Sequence, residues 1–446
     1  MRSFFLQLLL CAFLLPSCAI FKSKSARSAD KIEREVVGSP VFSKAFTGFT
    51  LLDPATGKTL ADFNGERYFT PASNTKILTL ATCLEVLRDS VPGISYFVLD
   101  SFLVFRGTGD PSFLHPKFQE WRKSYNLLAE KTLKPLLSFC YLEEPRFGPG
   151  WAWDDYSEYY QPEKSAFPIY GNTIRILGLS DGQYELSPPF FWSIAQYPYY
   201  DGYGQFLPKD ISRREEDNMI GMKRLPRPGE EIWIPFRPPY WEGMLADTVH
   251  RKEIAPAHNH LVIDSAQQWK YLYSTPLDTV LRRMMHQSDN FIAEQMLLVC
   301  AGVKFDLLQQ DTMIKWMLDS TLNSLPQPLK WVDGSGLSRY NLMTPQSIAQ
   351  VLLKLWKEQP RERLFSLFPA GGVSGTIADM YAGKDNKPYV FAKTGGMSGV
   401  QCLSGYIVCK SGKVLIFSFM HNNFVGSSKA WKVEMQRILE QIRDRF

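Results

Sequence analysis

The sequence predicts an α/β-class fold whose core is interrupted by a separate strand-rich insert. Three observations carry this reading. Strand patterns stand at both ends of the chain, over residues 45–63 and 389–421. Helical patterns occupy much of what lies between, and over residues 93–260 the texture changes to short β-prone runs with many Pro, Gly and Tyr. With 446 residues the chain is long enough for two or three domains and a sizeable buried core.

Taken in order, Arg2 precedes an apolar run from Phe4 to Leu15 that is too short to cross a bilayer, the pattern of an export signal. The segment ends Leu15-Pro16-Ser17-Cys18. It resembles a bacterial lipoprotein signal, in which cleavage leaves Cys18 as a lipidated N-terminus; an ordinary signal peptide cut nearby is the alternative. Residues 1–18 are thus read as signal. Residues 19–44, polar and nearly free of large apolar side chains between 22 and 40, are read as a flexible spacer. Ala45–Leu52 and Lys58–Phe63 then form a hairpin across Asp53-Pro54-Ala55-Thr56-Gly57.

Ile77, Leu78, Leu80, Ala81, Leu84 and Leu87 follow helical spacing from Ser73, and Asp89 to Pro92 end that run. Residues 93–260 form the insert, with aromatic stretches such as Phe190-Phe191-Trp192. Helices are expected over Leu277–Met285, Phe291–Cys300 and Ser347–Trp356. Strands follow at Tyr389–Lys393, Gln401–Cys409 and Val414–His421, and an amphipathic helix closes the chain from Ser428 to Arg445. Residues 45–92 and 261–446 therefore make one domain, split by the insert.

Composition narrows the function. Hydrophobic residues at 45%, charged residues at 21% and aromatic residues at 14% exclude a disordered chain. The net charge of +5 comes without a long run of either sign, so nucleic acid is not an expected partner. No stretch after the signal has the ~18 uninterrupted apolar residues of a membrane helix, so a membrane is expected only through an anchor at Cys18. Outside the signal the cysteines stand at 83, 140, 300, 402 and 409, without the paired close spacing of a zinc site. They read as small buried hydrophobes, with a Cys402–Cys409 bond left open, and no metal is expected.

Three short motifs carry chemistry: Ser73-Asn74-Thr75-Lys76, Ser288-Asp289-Asn290 and Lys393-Thr394-Gly395. Each is weak alone. A serine capping a helix, a polar helix cap before Phe291 and a turn with an exposed lysine are the bland readings. Together and in order they are specific. At a helix start, residues i and i+3 share a face, which puts the Lys76 amine within reach of the Ser73 hydroxyl. A lysine acting as base near neutral pH must lose about 3 units from its usual pKa of ~10.4, and burial with a second cation, Lys393, pushes that way. Ser288 and Asn290 alternate about Asp289, so Ser288 can relay a proton while the Asn290 amide orients a peptide bond; Asp289 reads as structural. Gly395-Gly396 removes side chains where a peptide could add alongside the strand. Lys393 and Thr394 would hold a carboxylate, and the backbone N–H groups of Ser73 and Gly396 would form an oxyanion hole.

With these motifs in place, the chain resembles the D-alanyl-D-alanine carboxypeptidase/endopeptidase family of low-molecular-mass penicillin-binding proteins, in the branch with a large insertion after the first motif. Phe105–Pro111, Gly150–Asp155, Asp333–Arg339 and Pro369–Thr376 resemble stretches of that family as well. The resemblance implies a transpeptidase/β-lactamase-like core, a mainly antiparallel five-stranded sheet flanked by helices. It implies a serine peptidase of peptidoglycan stem peptides in the bacterial envelope, with no cofactor and with β-lactams as inhibitors. Gly396 departs from the threonine that the family commonly carries there. A β-lactam- or ester-hydrolysing enzyme on the same scaffold, and a non-catalytic envelope-binding relative, are the rival readings. Class A β-lactamases use a glutamate some tens of residues after the second motif, and none lies between Glu294 and Glu358, so slow deacylation is expected. Asp333 and Ser335 read as turn formers. The aromatic cluster of Trp151, Trp153, Tyr156, Tyr159 and Tyr160 reads as packing for the insert, with sugar stacking as the alternative.

Overall fold

The computed structural model describes residues 24–119, 121–138, 142–197, 207, 209–238, 241–259, 267–383 and 387–446. The signal with Cys18, and Cys140, lie outside the described residues. One unit is built from both ends of the chain, and its main elements are numbered here in chain order. They are α1 (Lys24–Val37), β1 (Phe46–Asp53), β2 (Lys58–Phe63), α2 (Lys76–Val86), α3 (Leu277–His286), α4 (Asn290–Phe305), α5 (Gln310–Asp319), α6 (Pro345–Glu358), β3 (Val390–Met397), β4 (Val400–Val408), β5 (Val414–Asn422) and α7 (Lys429–Arg445).

The expected five-stranded antiparallel sheet is present, in the order β3-β4-β5-β1-β2. The chain's two ends meet in its middle, where Phe46 pairs with Asn422 and Thr50 with Ser418. Strand β5 is buried on both faces, which is why it reads as a continuous apolar run. Leu415, Phe417 and Phe419 pack with α1 and α7, whereas Ile416 and Met420 pack with α2, α4 and α6. The four described cysteines are free and buried, Cys402 and Cys409 among them.

Two boundaries differ from the sequence reading. Residues 24–37, expected within a flexible spacer, form helix α1, with Ala29, Ile32 and Val36 buried. Those three residues stand at helical spacing and give an otherwise polar segment one narrow apolar edge. The insert also begins earlier and ends later in structure than in texture. The strand Lys270–Pro276, assigned by sequence to the split domain, pairs antiparallel with Ser90–Leu99 in the insert's own five-stranded sheet. Two three-stranded sheets complete the insert around a core that includes Phe105, Phe167, Ile176, Phe191 and Met244.

Candidate active site

The first motif sits on a tight turn. Residues Ala72–Thr75 form a 3-10 turn that runs directly into α2, and Ala72 adopts a left-handed backbone at φ +46° just before Ser73. Neighbouring backbone crowds this turn. A Cβ on Gly395 would lie 2.4 Å from the Pro71 carbonyl oxygen, and one on Gly336, itself at φ +81°, would lie 1.9 Å from that of Ala72. Only glycine allows β3 and the loop at 333–338 to approach so closely.

Lys76 has no solvent exposure, which removes the reading of a solvated surface lysine. Its Nζ donates to Ser73 Oγ at 3.1 Å, to Asn290 Oδ1 at 2.7 Å and to the Ser335 carbonyl at 2.7 Å. Burial lowers its pKa to about 8, against the opposing pull of Glu294, Asp333 and Asp289. Lys393 is likewise fully buried, and its pKa is pushed well down, first by burial and then by the charge of Lys76. Of the two expected causes, burial is the one that depresses Lys76, and the part expected of Lys393 is corrected: loss of hydration is the dominant cause at both amines.

The second motif forms the start of α4. Asp289, expected to be structural, is the N-cap and accepts from the Ile292 N–H at 3.1 Å, so the helix begins at Asn290. Ser288, at φ +56°, accepts from Lys393 Nζ at 2.8 Å. Ser288 is therefore held by Lys393, while Ser335 supplies the third acceptor of Lys76. Asn290 holds Lys76 through its oxygen and donates through its amide nitrogen to the Tyr160 carbonyl at 3.0 Å. Thr394 Oγ1 donates to Thr376 Oγ1 at 2.7 Å. Strand β3 is an edge strand, and a Cβ on Gly396 would meet no atom within 4 Å.

A cleft of about 940 Å³ joins these parts, lined by Ser73, Ser288, Asn290, Thr376 and Gly396, with Asp155, Tyr159 and Tyr160 from the insert. Lys76 and Lys393 reach it through their bonds to the two serines, and Gly395 packs behind Ser73. Of the predicted residues, only Cys18 cannot be placed.

The loop that carries Ser335 escaped the sequence reading as part of the site. Two buried carboxylates hold it. Glu294 accepts from the N–H groups of Gly334 at 3.1 Å and Ser335 at 2.8 Å. Asp333 accepts from those of Gly336 and Ser338, from Asn341 Nδ2 and from Trp151 Nε1 at 3.0 Å. Burial first, and then the charge of Glu294, raises Asp333 to about 6. A signal for Glu294 was present: it is a lone acid in the apolar helix Phe291–Cys300, one turn after Asn290 and hence on its face. Trp151 is therefore neither insert packing alone nor a sugar platform, whereas Trp153 and Tyr159 are exposed.

A serine bonded to a buried lysine, opposite a second lysine on the edge strand of a split antiparallel sheet, defines a penicillin-recognising serine peptidase. The chain belongs to the D-Ala-D-Ala carboxypeptidase 3 (S13) family, whose model matches residues 29–184 and 253–443. It is 26% identical over 423 residues to the D-alanyl-D-alanine carboxypeptidase DacB of Haemophilus influenzae, covering 84% of this chain and 85% of that protein. It is 25% identical over 453 residues to the D-alanyl-D-alanine carboxypeptidase of Actinomadura sp. strain R39, covering 88% and 80%. The crystal structure of penicillin binding protein 4 from Haemophilus influenzae matches with a TM-score of 0.71 at 20% identity, over 93% of this chain and 99% of that one.

Proposed function

We propose that this peptidase is exported to the bacterial envelope and cleaves the bond after a D-alanine in peptidoglycan stem peptides, through an ester on Ser73. The neutral amine of Lys76 takes the Ser73 proton as Oγ attacks the carbonyl carbon. The oxyanion forms near the backbone N–H groups of Ser73 and Gly396, donors of a kind that each contribute on the order of 2.7–4 kcal/mol in the transition state. As the C–N bond breaks, Lys76 gives that proton up to the leaving amine through the Ser288 hydroxyl. Lys393 and Thr394 draw the free carboxylate of the leaving D-alanine, or its counterpart in a cross-link. Water then attacks the ester, giving its proton to Lys76, and Lys76 passes that proton to Ser73 Oγ as the acyl C–O bond breaks.

The observation that carries this reading is the 3.1 Å contact between Lys76 Nζ and Ser73 Oγ at a fully buried lysine. A hydrolytic β-lactamase is less well supported, since the Glu294 carboxylate is turned to Gly334, Ser335 and Gln310. β-Lactams should therefore acylate the protein and stay bound.

Fluorescent penicillin is expected to label the wild type stably and to leave Ser73→Ala unlabelled, while digestion of purified muropeptides releases D-alanine or resolves cross-links. Folded wild-type protein that takes no label would favour the non-catalytic rival instead. The anchor at Cys18 is part of the same proposal, and palmitate incorporation that persists in Cys18→Ala would remove it.

A further inference from the structure

The cleft has a second compartment behind the turn that carries Ser288 and Asn290. A cavity of about 300 Å³ lies between the insert and the split unit, and Tyr159, Arg283, Asp289 and Phe291 line both it and the cleft. Lys117 and Trp233 of the insert supply further walls, and no residue of β3 does. The compartment thus prolongs the cleft past Asn290, which is one hydrogen-bonded lysine away from Ser73.

Its charges are unevenly matched. Glu231 accepts from Arg175 Nε at 2.5 Å. Asp289 caps α4, and its Oδ2 stands 3.4 Å from Arg283 Nε, outside hydrogen-bond geometry. That Nε is buried with no acceptor, and Lys117 has no carboxylate within ion-pair distance among the described residues. His115 adds no charge, because burial lowers it to about 4. Arg175, outside the lining, neutralises Glu231, so Lys117 and Arg283 face one remaining carboxylate, Asp289, beside the indole of Trp233.

We propose that this compartment is a subsite for a free carboxylate of the stem peptide upstream of the reactive D-alanine, with Lys117 and Arg283 as its cations. The proposal rests on the peptidase reading above. The stem chain runs through the side-chain carboxyl of its glutamate, which leaves an α-carboxylate free two residues before that D-alanine. Two extended residues span about 7 Å, and two hydrogen bonds through Lys76, of 3.1 and 2.7 Å, lead from Ser73 Oγ to Asn290.

The test uses two stem pentapeptides that differ only in whether this carboxylate is free or amidated. Their affinities are measured by calorimetry on full-length Ser73→Ala protein, so that binding is read without turnover. The free acid is expected to bind about tenfold more tightly, the scale of one charged hydrogen bond. Lys117→Glu is expected to erase that preference while leaving the amidated peptide, and benzylpenicillin acylation of the Ser73-containing protein, within about twofold of the parent. Equal affinities for the two peptides, or a preference that survives Lys117→Glu, would overturn the subsite. Peptides that bind with the preference but release no D-alanine from wild-type protein would instead count against the peptidase reading.

Discussion

The split unit and the insert serve one cleft by different means. Ser73, Lys76, Asn290 and Lys393 stand on a 3-10 turn, at the starts of two helices and on a strand, so regular backbone aims each of them. The insert reaches the cleft through residues 150–160, where the only regular structure is a 3-10 turn at Trp153–Asp155. One link there is the buried bond from Trp151 to Asp333, formed between residues 182 positions apart. The groups assigned to the reaction come from short local motifs, and the groups that hold them come from contacts made only by the folded chain.

That difference can be broken or sharpened by substitution. Lys76→Met, which keeps the volume but removes the amine, is expected to slow benzylpenicillin acylation by roughly 10²–10⁴-fold. Thermal unfolding would show whether the buried acceptors left behind also weaken the fold. If acylation survives, the local motif does not carry the chemistry.

Trp151→Phe is expected to do less, slowing acylation by about tenfold, because it removes one donor from a buried carboxylate, a bond worth roughly 1.5–3 kcal/mol. Its pH signature is more telling than its size. Asp333 titrates at about 6, and the Trp151 bond lowers it. Losing that donor raises the pKa, so protonated Asp333 should loosen the Ser335 loop, and acylation should begin to fall, at a higher pH than in the wild type. A variant that is merely less stable, with an unmoved acid limb, would reduce the insert's part to packing.

The same contrast explains what the sequence made legible. The separate strands, several flanking helices and the three motifs follow from periodicity and spacing, the five-stranded sheet was what the family resemblance implied, and the structure brings Ser73, Lys76, Ser288, Asn290 and Lys393 together. Helix α1 was missed because only Ala29, Ile32 and Val36 mark its buried edge. The strand Lys270–Pro276 was assigned to the wrong unit because its partner, Ser90–Leu99, lies far back in the chain. Ser335 acts through its carbonyl, which no side-chain pattern announces. The link between Trp151 and Asp333 gave no local signal at all.

The pH dependence of Ser73 acylation by benzylpenicillin tests the centre of this account most directly. The rate constant should climb through about pH 8, where buried Lys76 gives up its proton, and the climb should vanish in Lys76→Met. A rate in the wild type that does not change across that pH, with the ester still found on Ser73, would contradict the assignment of Lys76 as the base.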